Sequence, residues 1–298
     1  MTIEASMQLE NFELTLVDIA DVDVEKLHTL SISVGWPHRM EDWLMLRENG
    51  HGIAAQDEIG RVVGTAMWFP FGEDFATIGM VITSPRLQAH GTGRWLMDHV
   101  LNRVERPLQR LNSTRAARRL YLSMGFTLEK TVYQHQGTAI ALDEPEMPPN
   151  SVLREITDAD LAEICALDRQ ACGTERATLL ARLLQVSRGV ALVRNGRIVA
   201  FSLCRRFGRG SVIGPVVAVS DEDAVLVMHP HIAGLAGQFV RTDTREGTGL
   251  FAEFLARSGL ALFDTVTSMS RGGAWLSGDQ SNMPERPHIY SLVSQTLS

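Results

Sequence analysis

Residues 81–97, VITSPRLQAHGTGRWLM, decide the fold. They read as the end of a strand, a turn at Pro85, a small-residue loop and the opening of an amphipathic helix. Ala89, Gly91 and Gly93 put little or no side chain where the helix begins, so the backbone can be approached closely there. A helix start leaves roughly four N–H groups without internal partners and carries partial positive charge. The loop therefore either turns a corner or holds an anion against the helix N-terminus.

On the N-terminal side of this loop, alternation over residues 12–17 predicts a strand, and the spacing of Val22, Val24, Leu27 and Leu30 predicts a helix over residues 21–35. A second short helix follows Pro37. GIAA and VVGTAMWF flank the turn QDEIGR as a hairpin, and ATIGMVIT supplies the strand that enters the loop. On the C-terminal side, a helix runs to about Val104 and residues 107–111 suggest a short strand. A helix over TRAARRLYLSM stops at Gly125, and TVYQHQGTAIAL is the last strand.

Beyond residues 142–152, LDEPEMPPNSV, the order starts again. Residues 14–31 resemble 151–168, residues 51–72 resemble 188–208, and residues 123–134 resemble 257–268. Three matches in one order mark an internal repeat. The 298 residues are accordingly read as two tandem α/β domains with mixed sheets, 1–143 and 144–298. The copies differ where the first has the glycine loop. The second has VVAVSDEDAVLVM, residues 216–228, with Asp221, Glu222 and Asp223 in place of glycines. Those acids suit a helix start and repel a phosphate.

A net charge of −7 argues against a nucleic-acid or anionic-membrane partner. Cys165, Cys172 and Cys204 form no CxxC or zinc spacing, so buried free thiols are expected. His229 and His231 lack a third ligand at useful spacing, and no metal is expected. No basic, then apolar, leader opens the chain and no apolar run reaches about 18 residues, which sets a cytoplasmic expectation. Gly247 and Gly249 read as a turn. The segment ERPHIYSLVSQTLS has no counterpart in the first copy and is expected to pack back on the second domain, with Tyr290 offered to an interdomain cleft.

Gln88-Ala89-His90-Gly91-Thr92-Gly93, with Pro85 before it and Leu96 and Met97 after it, resembles the acetyl-CoA loop Q/R-x-x-G-x-G/A of the GCN5-related N-acetyltransferases. Roughly 30 residues on, Ala117, Leu120, Tyr121, Gly125 and Phe126 resemble the same family's A-x-x-L-Y-x-x-x-G-F. The resemblance implies acetyl-CoA as co-substrate and a small-molecule amine as acceptor, and it leaves room for a homodimer. It implies that a strand carrying Val81, Ile82 and Thr83 splays from its neighbour and holds the acyl carbonyl and the pantetheine arm. The amides of residues 88–94, Gln88 through His90, Gly91, Thr92 and Gly93 to Arg94, would hold the pyrophosphate. Tyr121 would also touch the cofactor and return a proton to sulfur, and the Val81 amide would stabilise the oxyanion. Thr114 stands where the family often has Asn.

The base that deprotonates the amine is not specified by these motifs; Glu73 and Asp74 before the central strand and His38 are the candidates, with His38 and Glu73 favoured. Trp36, Trp43, Trp68 and Phe69, with Glu41, Asp42, Glu73 and Asp74, offer a cationic amine an aromatic and acidic surround. The alternative activity is a non-catalytic acyl-CoA sensor, which needs no acid at Tyr121.

Overall fold

Strand and helix alternate in the same order twice along the chain. The computed structural model describes residues 6–9, 12–88, 90–274 and 286–298, and divides into two compact units, Met1–Leu111 and Asn112–Ser298.

In the first unit β1 (Ser6–Leu9) pairs with β2 (Phe12–Asp18), and α1 (Val24–Ser33) and α2 (Met40–Asn49) lead to β3 (His51–Gln56). The helix expected from residue 21 begins at Val24. Asp18 accepts from Ala20 N and closes a separate 3-10 turn, while Asp23 accepts from Glu25 N and caps α1 itself. The hairpin of β3 and β4 (Val62–Phe71) turns where Asp57 accepts from Ile59 N and Arg61 N. β5 (Phe75–Thr83), α3 (Thr92–Arg103) and β6 (Leu108–Ser113) follow. β1 to β6 lie in chain order; all pairs are antiparallel except β5 with β6. Leu96, Met97 and Val100 of α3 are fully buried. Gly64 of β4 admits that helix, for a β-carbon there would lie 3.0 Å from Leu96 Cδ1.

The second unit begins at the end of β6 and contains α4 (Arg118–Ser123), β7 (Thr127–Thr138), β8 (Ser151–Glu155), α5 (Leu161–Cys172) and α6 (Ala177–Val186). Next come β9 (Ser187–Arg194), β10 (Arg197–Phe207), β11 (Gly210–Ala218), α7 (Asp221–Gly234), β12 (Phe239–Thr244), α8 (Leu250–Arg257), β13 (Ala261–Arg271) and β14 (His288–Ser291). Its strand order is β13, β7, β12, β11, β10, β9, β8, with β14 also on β11. From β8 to β13 the elements repeat the series from β2 to β7.

The compact units divide earlier than the repeat does. β7, last strand of the first repeat, is hydrogen-bonded along one edge to β12 and along the other to β13. Backbone groups that must be paired draw a strand into the unit that pairs them. The segment after it, residues 142–149, has no regular structure. It lines a cavity of about 490 Å³ together with Leu226 and His229 of α7 and Phe254 of α8.

The three cysteines are free, and burial pushes the Cys172 and Cys204 thiols up to about 11. No group of three or more metal-ligating side chains occurs among the described residues. His229 Nε2 donates to Leu142 O, and His231 Nε2 donates to Ser202 Oγ. No helix among the described residues is long and apolar enough to cross a membrane.

Burial lowers the pKa of His231 from 6.5 to about 4. The unfolded chain thus takes up this proton more readily than the folded one. Stability from the neutral ring is complete above pH 6.5 and is lost as pH falls toward 4, by up to roughly 3 kcal/mol. Urea denaturation at pH 7 and pH 4.5 should show this loss, and His231→Gln should flatten it.

Candidate functional site

β5 and β6 run parallel only over four pairs, from Phe75–Leu108 to Ile78–Leu111. β5 continues to Thr83, and among the described residues Val81, Ile82 and Thr83 have no partner on β6. The divergence coincides with a bulge. The register against β4 shifts between Thr65 and Met67, and Met80 takes φ +50°, a left-handed conformation uncommon outside glycine.

The bulge aims particular groups. Thr65 Oγ1 donates to Met80 O at 2.8 Å, so that carbonyl points at β4. In a planar trans peptide the following N–H points the opposite way, which directs Val81 N–H to the side that β6 has left. Ser84 N donates to Val63 O at 2.8 Å, and by the same rule Thr83 O points away from β4. Gln88 Nε2 reaches that carbonyl at 3.5 Å. Among the described residues, one donor and one acceptor without a partner on β6 thus lie along a single strand edge.

The chain then passes through a 3-10 turn, Pro85–Leu87, into α3. His90 Nδ1 donates to Gln88 O at 2.9 Å and orders the loop; Ala89 lies outside the described residues. Gly91 is the N-cap at φ +82°, where a β-carbon would be strained, and it supplies no side-chain cap to the opening amides of α3. Thr92 is fully buried, and its Oγ1 has no hydrogen-bond partner among the described residues. Gly93 and Arg94 occupy the first turn of α3. A cleft of about 730 Å³ opens beside the loop, between α1, residues 57–63 and residues 84–87; its lining includes Lys26 and Arg86 but not Val81.

The other expected residues are distributed unevenly. His38 is half-buried, its ring 5.9 Å from Trp36 and 6.3 Å from Trp43. Glu73 lies in the exposed turn at the opposite end of β5. The extended strand from Phe75 to Val81, roughly 20 Å, separates the turn from Val81, so the strand does not bring these two together. The acceptor surround expected from aromatic and acidic residues is also thinner than the composition suggested. Trp43 and Phe69 are fully buried, and Trp43 Nε1 donates to Ser31 Oγ. Asp42 is spent on Arg39, accepting from its N, Nε and Nη2. Trp36 and Trp68 are half-buried, and Glu41 and Asp74 are exposed.

In the second unit Tyr121 sits on α4, 5% exposed, edge-on to Phe126 at 6.0 Å. Burial raises its phenol above the ordinary value, which keeps the proton in place. Thr114 precedes α4, and its Oγ1 accepts from Ala117 N at 3.4 Å. Gly125 at φ +85° stops this helix, and Gly259 at φ +81° stops α8 of the second copy. Four residues before each glycine stand Tyr121 and Leu255.

Asp221, Glu222 and Asp223 stand in the first turn of α7, the helix start their sequence suits, and two of their carboxylates are engaged there by other side chains and by α8. Ser220 caps α7, accepting from Asp223 N, while Asp223 pairs with Arg194. Asp221 accepts from Phe251 N at the start of α8 and from Tyr290 Oη. Tyr290 is therefore engaged within the second copy itself. The link escapes sequence reading because 69 residues separate the partners.

Comparison with known proteins places the chain in a family. Residues 22–126 match a model described as the acetyltransferase (GNAT) family, and residues 164–283 match an acetyltransferase (GNAT) domain. The chain is 24% identical over 287 residues to the uncharacterized N-acetyltransferase YitH of Bacillus subtilis (strain 168), covering 95% of this chain and 98% of that protein. Its fold is similar to that of a protein of Pyrococcus horikoshii assigned as an acetyltransferase, with TM-score 0.73, 17% identity and 98% of both chains covered. It is also similar to a tandem GNAT protein from the clavulanic acid biosynthesis pathway, with TM-score 0.63, 15% identity, and 88% of this chain and 99% of that one covered. With a GNAT match on each half and an N-acetyltransferase relative along nearly its whole length, the chain belongs to the GNAT acetyltransferases as a tandem-domain member.

Proposed function

We propose that the protein transfers an acetyl group from acetyl-CoA to the amine of a small molecule by direct attack, with the first copy as the catalytic one. The observation that carries this reading is the outward Val81 amide, on the strand that enters an uncapped, left-handed helix start at Gly91. GNAT proteins in general use acetyl-CoA as co-substrate, and the residues present fit it. The buried Thr92 hydroxyl lacks a protein partner among the described residues, and the opening amides of α3 lack a side-chain cap.

Bound there, acetyl-CoA would supply a thioester whose carbonyl an amine can attack. Val81 N–H would hold the acyl oxygen, and Thr83 O would accept from an amide of the pantetheine arm. Residues 88–94 would hold the pyrophosphate through backbone amides and the partial charge of the helix start. Tyr121 would keep its proton for the departing sulfur. His38 stands as the proton acceptor toward the amine, since strand length separates Glu73 from Val81. The second copy lacks this machinery at two points: Asp221–Asp223 replace the glycine loop, and Leu255 replaces the tyrosine.

Calorimetric titration with CoA should give no binding to Gly91→Asp, which combines a strained φ with a carboxylate at the anion position. Glu222→Ala, at the matching loop of the second copy, should bind as the native chain does. Equal loss in both would refute assignment of the cofactor to the first copy. Tyr121→Phe should lower kcat roughly a hundredfold or more with little change in KM for acetyl-CoA. Because burial raises the phenol, the native enzyme should keep the acid form through pH 10. Turnover unaffected by Tyr121→Phe would favour the acyl-CoA sensor.

A further inference from the structure

β11 is the counterpart of β5, and it too outruns its parallel neighbour. It pairs with β12 only at Ser211–Val240 and Val212–Arg241, yet extends to Ala218. The sequences align as Thr77-Ile78-Gly79-Met80-Val81 and Val212-Ile213-Gly214-Pro215-Val216, so Val216 occupies the place of Val81. In the second copy that edge is not open. β14 lies on it antiparallel, with Val216 opposite Ser291, Val217 opposite Ile289 and Ala218 opposite His288.

The segment is held along its length by groups that point to a built site. Leu292 N donates to Asp243 O of β12, so the strand bonds both sides of the divergence. Ser291 Oγ donates to Ile213 O and lies 2.6 Å from Thr242 Oγ1. Two buried arginines reach its carbonyls: Arg205 Nη2 donates to Val293 O at 2.8 Å, and Arg176 Nη1 donates to Leu297 O at 3.3 Å. Leu292, Val293 and Leu297 are fully buried. At the helix start, where the first copy is uncapped, Tyr290 Oη donates to Asp221 and its ring packs on Phe251 at 5.2 Å. The approach is so close that a β-carbon on Gly214 would stand 1.9 Å from Leu292 O.

We propose that the cleft of the second copy is a polypeptide-strand site, occupied in cis by residues 288–297, and that the chain consequently takes one acyl-CoA and not two. This rests on the reading of the β5 edge and the Gly91 loop as the acyl-CoA site of the first copy. The strand supplies in the second copy what a pantetheine arm would supply: backbone donors and acceptors for a diverging sheet edge. The Asp221–Tyr290 pair takes the place of the pyrophosphate at the helix start. Its ligand class is an extended peptide with a small hydroxyl residue and a buried apolar residue in succession, the mode of strand addition.

Hydrogen exchange on the native full-length chain should find the amides of residues 289–293 as protected as the β10–β11 ladder. Exchange at the rate of an unstructured tail would overturn the proposal. Leu292→Asp puts a charge into the buried register and should expel the strand while leaving the cleft intact. A labelled synthetic peptide of residues 286–298 should then bind that variant at least about tenfold more tightly than it binds the native chain. Uptake of a second CoA equivalent by the native chain would overturn it. Should Leu292→Asp fail to fold, native exchange and native stoichiometry decide the matter. Failure of the native chain to bind any CoA would remove the functional reading of the first copy, while the exchange result would still report whether the strand holds the second cleft.

Discussion

A parallel strand pair that stops halfway sets the terms for both copies. Where β5 parts from β6 at Ile78–Leu111, and β11 from β12 at Val212–Arg241, backbone groups at the centre of a sheet lose their neighbours. Such groups are costly to leave without partners away from water. Each copy must find something to bond that edge, and the two have found different solutions. Among the described residues the first leaves Val81–Thr83 without a partner on β6 and follows them with a glycine helix start. The second lays its own C-terminal strand along the edge.

Charge follows the same division. The first copy's helix start offers amides, a buried threonine hydroxyl and no acid between Ser84 and Arg94. The second copy's helix start is consumed internally, with Ser220 as cap, Asp223 on Arg194, and Asp221 shared between Phe251 N and Tyr290. Buried Arg176 and Arg205 fit the same scheme. A desolvated guanidinium needs acceptors on several sides. Arg176 finds a carboxylate in Asp168 at 2.6 Å and a tail carbonyl in Leu297, while Arg205 finds Gly214 O and Val293 O. The tail thus completes polar networks in the core as well as a sheet edge.

Much of the fold was legible because its signals are local. Hairpin turns, the helix stop at Gly125 and the strand–loop–helix at residues 81–97 depend on neighbours a few residues apart. What was misread depends on which partner a side chain takes and on where the chain carries it. Asp42 looked like an acidic lining residue, but Arg39 claims it from within one helical turn, a pairing no composition argument weighs. Glu73 looked near the chemistry because it is near in sequence, whereas extended chain carries it away at about 3.3 Å per residue. The short β14 carried no periodic signal, since its burial comes from long-range packing and not from alternation.

The sequence by itself determined the repeat, the element order, the single glycine loop and the lone Tyr121, because periodicity, turn chemistry and motif spacing are written in consecutive residues. Only the tertiary structure decided which backbone edge stays open. The bulge at Met80 turns the Val81 amide outward through a hydrogen bond to Thr65, fifteen residues away from Met80. Residues 288–293 close the corresponding edge about 70 residues after β11. Both outcomes require partners for backbone groups that every residue carries alike, and identical groups leave no mark in the sequence of what will satisfy them.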